Sequence, residues 1–84
     1  MTVEQKVRDY VLENYLFTAE QDELENDASF LEQGIIDSTG IMEVIAFLEE
    51  TYGIAVLDDE MIPENLDSVN NIVAYVAKKR GPGQ

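Results

Sequence analysis

The stretch Gly34-Ile35-Ile36-Asp37-Ser38-Thr39-Gly40 places one serine behind an aspartate, where a polar segment gives way to an apolar-periodic one. A serine hydroxyl can act as a nucleophile when a neighbouring base takes its proton, or it can accept a group that another protein delivers. The first role needs a base, usually histidine, and the chain of 84 residues contains no histidine and no cysteine. A lysine base would have to be Lys6, Lys78 or Lys79, all near the termini. The nucleophile-elbow pattern G-x-S-x-G fails because Ile36 stands at its first glycine. The phosphate-loop pattern fails because Ile41, not lysine, follows Gly40. No catalytic residue is expected, and the chain reads as a non-enzyme.

Metal chemistry is equally constrained. Without histidine or cysteine, the soft and borderline metals lose their usual ligands. Asp58-Asp59-Glu60 invites comparison with a calcium loop, yet counting from Asp58 the sixth residue is Pro63 and the twelfth is Val69. Glycine and glutamate belong there, so no metal site is expected. Two roles stay open for Ser38 from the residues alone. Asp37 or Ser38 can simply cap a helix. Alternatively, Ser38 is an exposed acceptor, and a phosphate attached to it would face the free N–H groups and positive dipole end of the first turn. Asp37 and Glu43 would oppose that phosphate, with a repulsion that salt largely screens.

Charge narrows the partners. Eighteen acids face five bases, for a net charge of −13, and residues 9 to 77 contain 17 acids and no Lys or Arg. Nucleic acid is excluded as a natural partner because the basic stripe it needs is missing. A basic protein surface is the complementary partner, and long-range attraction would speed its arrival. No apolar run approaches the ~18 residues of a membrane span. The lack of cysteine fits a cytoplasmic location.

Four elements would position Ser38. Residues 3 to 17 read as an amphipathic helix with Val3, Val7, Tyr10, Val11 and Asn14 on one face, widened by Leu12, Leu16 and Phe17. Thr2 and Gln5 match a capping box at its start. Residues 18 to 37 form a long acidic connection, with Ser29 and Glu32 capping one turn that carries Phe30 and Leu31 onto the core. From Ser38 to Tyr52, Ile41, Val44, Ile45, Leu48 and Tyr52 trace a buried helical stripe that Gly53 stops. Ile54 to Leu57 form an extended link. A short helix then begins at Asp58-Asp59-Glu60 and is bounded by Pro63. Ser68 caps a last helix with Val69, Ile72, Val73 and Val76 on one face and Lys78, Lys79 and Arg80 at its end. The predicted fold is an all-α bundle of three main helices plus one short one, forming a single domain over residues 1–80. Residues 81–84 read as a frayed tail.

The runs Gly34 to Ser38, Ile41-Met42-Glu43-Val44-Ile45, Leu48 to Ile54 and Pro63 to Val69 together resemble the acyl carrier protein family, in order and spacing over essentially residues 3 to 80. In that family the serine after the aspartate carries 4′-phosphopantetheine, transferred from coenzyme A by a separate transferase. The resemblance assigns that role to Ser38, and gives Asp37 a part in meeting the transferase and its magnesium ion. It also implies docking on the second helix, with Met42 and Ala46 as apolar contacts and Glu43, Glu49 and Glu50 as charged ones. The expected partners are a phosphopantetheinyl transferase and an adenylating acyl- or aminoacyl-ligase with a basic docking surface, meeting a monomeric carrier. One position departs from the family pattern. Leucine usually comes directly after the serine, and Thr39 stands there, which implies a weakened apolar contact. The run Pro63 to Ile72 is similar to carriers charged with amino acids, D-alanine included. The competing reading is an unmodified acidic interaction module whose second helix docks in a basic groove.

Overall fold

The computed structural model describes residues 2–81. Helix α1, Val3–Val11, starts where the sequence signature places it: the Thr2 hydroxyl accepts the Gln5 N–H at 3.1 Å. Val7 and Val11 are buried along its inner side. The helix then widens into a π turn, Leu12–Leu16, and stops at Phe17 in the left-handed region (φ 55°), whose N–H reaches the Leu12 carbonyl. Phe17 does not extend the apolar face. It is 82% exposed, because the left-handed residue that closes the helix turns away from the core. Asn14 is also exposed, its side-chain amide donating to the Tyr10 carbonyl at 2.8 Å.

Residues 18–37 are a connection pinned at several points. A 3₁₀ turn occupies Gln21–Glu23, and Leu24, Phe30 and Ile36 drop into the core. The Arg8 guanidinium donates to the Gln21 carbonyl and side chain and to the Asn26 side chain. Asp67 gathers the other end: its carbonyl accepts the Phe30 N–H at 2.8 Å, and its carboxylate accepts the Leu31 N–H and the Ser29 hydroxyl. Ser29 caps its turn by accepting the Glu32 N–H at 3.1 Å, in keeping with the capping pattern. Only Phe30 reaches the core, however; Leu31 lies outside it.

Helix α2, Ser38–Tyr52, buries Val44, Ile45 and Leu48, with Ile41 and Tyr52 half-buried, and ends at left-handed Gly53 (φ 66°). Fully burying one such aliphatic side chain stabilises the fold by about 1.5–3 kcal/mol. A 3₁₀ turn, Asp58–Glu60, comes next. Pro63 opens a helix here and does not bound one. The residue before it, Ile62, is extended (φ −122°), as proline demands, and Pro63 then begins α3, Pro63–Leu66. A missing N–H costs little at a first helical position. Helix α4, Val69–Arg80, is capped by the Ser68 hydroxyl accepting the Asn71 N–H at 3.1 Å. Val69, Ile72 and Val76 are buried on α4 together with Tyr75, which the aliphatic pattern leaves out. Its ring packs in the core while its hydroxyl reaches Glu60 at 3.0 Å. The Arg80 guanidinium sits over the Tyr52 ring, joining the far ends of α4 and α2. The architecture is an all-α bundle of three main helices and one short helix, without strands among the described residues. Of the predicted tail, residues 82–84 lie outside the described residues.

Candidate functional site

The start of α2 is built by Asp37, not by Ser38. The Asp37 carboxylate accepts the Gly40 N–H at 2.7 Å, and its backbone carbonyl accepts the Ile41 N–H at 3.0 Å. Asp37 is thus the cap, and Ser38, one residue on, is an exposed first helical residue whose hydroxyl is not consumed by capping. By helix geometry the N–H groups of Ser38 and Thr39 have no intrahelical acceptor, so they remain as donors beside that hydroxyl.

A cavity of about 230 Å³ opens against Ser38. Ile41, Met42 and Ile45 line it from α2, and Leu31, Met61, Ile62 and Leu66 line it from the two flanking loops and α3. Its walls are mostly apolar, and its size exceeds the ~150 Å³ of apolar cavities that admit a benzene-sized guest. Met42 is 55% exposed at its rim, with Leu31 and Ile62 also exposed there. Leu31 and Ile62 carry no functional signal in the sequence, because each reads locally as one more core residue.

The acids expected to flank Ser38 divide into two groups. Glu49 is half-buried and turns inward, its carboxylate accepting the Val56 N–H at 3.0 Å, so it holds the link after α2 against the helix. Glu50 is exposed, as are Thr39 and Ala46. Glu43 is exposed but anchored, accepting the Tyr15 hydroxyl at 2.6 Å. Burial, with the Glu43 hydrogen bond second, raises the Tyr15 phenol well above its ordinary value, so it stays a proton donor. No sequence pattern singles out Tyr15. Its contact with α2 spans 28 residues of chain and leaves no local trace.

An exposed serine at a helix start, an apolar cavity beside it and an acidic helix face are thus brought together at one end of α2. Comparison with known proteins shows the family. A family model described as the phosphopantetheine attachment site matches residues 5–76. An acyl carrier protein of Akkermansia muciniphila is 35% identical over 80 residues, 95% of each chain. An acyl carrier protein of Nitratidesulfovibrio vulgaris is 31% identical over 80 residues, 95% of this chain and all of the relative. A D-alanyl carrier protein of Abiotrophia defectiva is 32% identical over 53 residues, 63% of this chain and 67% of the relative. The chain belongs to the acyl carrier protein family. It is a non-enzymatic carrier whose prosthetic group is covalently attached 4′-phosphopantetheine. No helix among the described residues is long and apolar enough to cross a membrane.

Proposed function

We propose that Ser38 is the attachment point of the phosphopantetheine arm, and that residues 1–80 act as one carrier domain, monomeric and cytoplasmic. The carrying observation is an exposed Ser38 hydroxyl, left free by the Asp37 cap, at the mouth of an apolar cavity. The residues suit the group. The open N–H groups of Ser38 and Thr39 would face its phosphate, and the helix dipole favours negative charge there. In the attachment step the Ser38 oxygen forms the new bond to phosphorus as the anhydride bond within coenzyme A breaks. The nucleotide leaves as its bisphosphate, and the serine proton passes to a base that the transferase must supply, since this chain has no histidine. When bound, the arm supplies a thiol on which an acyl or aminoacyl cargo is held as a thioester.

Asp37, Thr39, Met42, Glu43, Ala46 and Glu50 form the exposed face that a transferase with its magnesium ion, and later a ligase with a basic docking surface, would meet. Glu49 contributes by holding the end of that helix. An amino acid, D-alanine included, is the cargo class favoured by the run Pro63 to Ile72 and by the likeness to a D-alanyl carrier protein. The test is intact mass after incubation with coenzyme A and a phosphopantetheinyl transferase. One phosphopantetheine should be gained, and Ser38→Ala should gain none. An unchanged mass, under conditions that load a control carrier, would leave the unmodified interaction module as the better reading.

A further inference from the structure

We propose that Tyr15 is a positioning residue for the encounter at Ser38: it holds Glu43 pre-oriented for a basic side chain of the visiting transferase. This rests on Ser38 being the attachment point. Tyr15 comes from the π turn of α1, outside the helix that carries the serine. Its hydroxyl lies 2.6 Å from a Glu43 carboxylate oxygen and 3.2 Å from the Gly40 carbonyl, two residues after Ser38. The short contact to an ionised acceptor is the stronger one.

The tyrosine is itself braced. Tyr10 meets its ring edge-on at 6.0 Å and stacks on Phe47 of α2 at 4.1 Å. Gly40 completes the fit from below: a Cβ there would stand 3.2 Å from the Tyr15 ring and 2.6 Å from the buried Ile36 side chain. The ring therefore lies close over the first turn of α2, and the hydroxyl it presents is fixed in space.

A neutral donor matters here because residues 9 to 77 contain no Lys or Arg. A lysine in place of Tyr15 would order Glu43 but cancel its charge. The phenol orders it and leaves the charge whole. Asp37 and Glu49 are already committed to backbone N–H groups, which leaves Glu43 as an acid both fixed and outward-facing near Ser38. An unrestrained glutamate must be ordered during docking, and doing so beforehand removes that entropic cost from the encounter.

The experiment uses the full-length apo chain, a purified phosphopantetheinyl transferase and coenzyme A, with initial loading rates read by intact mass. Tyr15→Phe should raise the KM for the carrier about two- to ten-fold, the worth of one pre-ordered side chain, with kcat unchanged. Glu43→Gln should do the same, and the double variant should be no worse than Glu43→Gln alone. An unchanged KM for Tyr15→Phe overturns the proposal. So does a defect that persists undiminished in the Glu43→Gln background, which would mean that Tyr15 acts through the fold. Should Tyr15→Phe fold poorly in a thermal melt, Glu43→Gln and Glu43→Asp decide instead. A KM equal to that of the unaltered chain for both variants is the overturning result. Failure of the unaltered chain to load refutes the Ser38 reading and this one together, whereas normal loading with unmoved KM values refutes only the role of Tyr15.

Discussion

Two glutamates in this protein each accept a tyrosine hydroxyl, and they do different work. Glu60, in the 3₁₀ turn before α3, takes the Tyr75 hydroxyl at 3.0 Å, the Lys79 ammonium at 2.8 Å and the Leu57 N–H at 3.0 Å. Tyr75 and Lys79 come from α4 and clamp the 57–61 segment onto it, while the Leu57 N–H closes the turn on itself. Glu43 has Tyr15 and faces solvent with its charge intact. The same side chain is closed in when a cation and a backbone donor gather around it, and stays exposed when a single neutral donor holds it. The charges decide this. Lys79 lies in the basic run that ends α4, whereas nothing basic lies between residues 9 and 77 to neutralise Glu43.

The contrast can be broken from either side. The largest stability effect is expected from Gly40→Ala. Replacing glycine by alanine inside a helix ordinarily gains up to about 1 kcal/mol. Here the added methyl would press on Ile36 and Tyr15, and overpacking of that kind costs about 1–3 kcal/mol. A net fall in Tm in thermal unfolding, with weaker loading, is the expected result; a rise would mean that the Tyr15 wedge is loose. Glu60→Gln should come next, with a smaller fall in Tm and a change in acid sensitivity. The Lys79 hydrogen bond, and after it that of the Leu57 N–H, lowers the Glu60 carboxyl from 4.5 to about 2. Its ionised form therefore favours the folded state fully above pH ~4.5, and that contribution fades as pH falls towards ~2. Acid titrations monitored by circular dichroism should show a flatter stability curve for Glu60→Gln across that window. Glu43→Gln should be the mildest for stability, within about 0.5 kcal/mol by denaturant unfolding, as for most surface substitutions. An equal loss for Glu43→Gln and Glu60→Gln would erase the distinction between them.

The features of this molecule that its sequence reveals are the local ones. The starts at Thr2 and Ser68 and the stop at Gly53 are legible because the donor and acceptor sit within three or four residues of each other. The Asp37-Ser38 pair is legible for the same reason, and the family resemblance rests on runs that keep their order. Pro63 is ambiguous in the sequence because proline can close one segment or open the next; here Glu64 to Leu66 continue as helix, so it opens one. Leu31 and Ile62 at the cavity rim, and Tyr15 against Glu43, depend on contacts between segments far apart in the chain. No periodicity records such contacts. Tyr75 escapes an aliphatic pattern because it is amphipathic, with its ring in the core and its hydroxyl on an acid.

The π turn at Leu12–Leu16 has a consequence for how such a carrier could diverge. A turn closed between residues five apart holds one residue more than an α turn, and everything beyond it is rotated relative to the helix before it. Loss of one residue within 12–16 would restore the ordinary register and swing position 15 off α2, releasing Glu43 while every residue of α2 stayed the same. A single-codon deletion in the first helix is thus a short mutational path by which a descendant of this chain could free the Glu43 carboxylate, with α2 itself untouched.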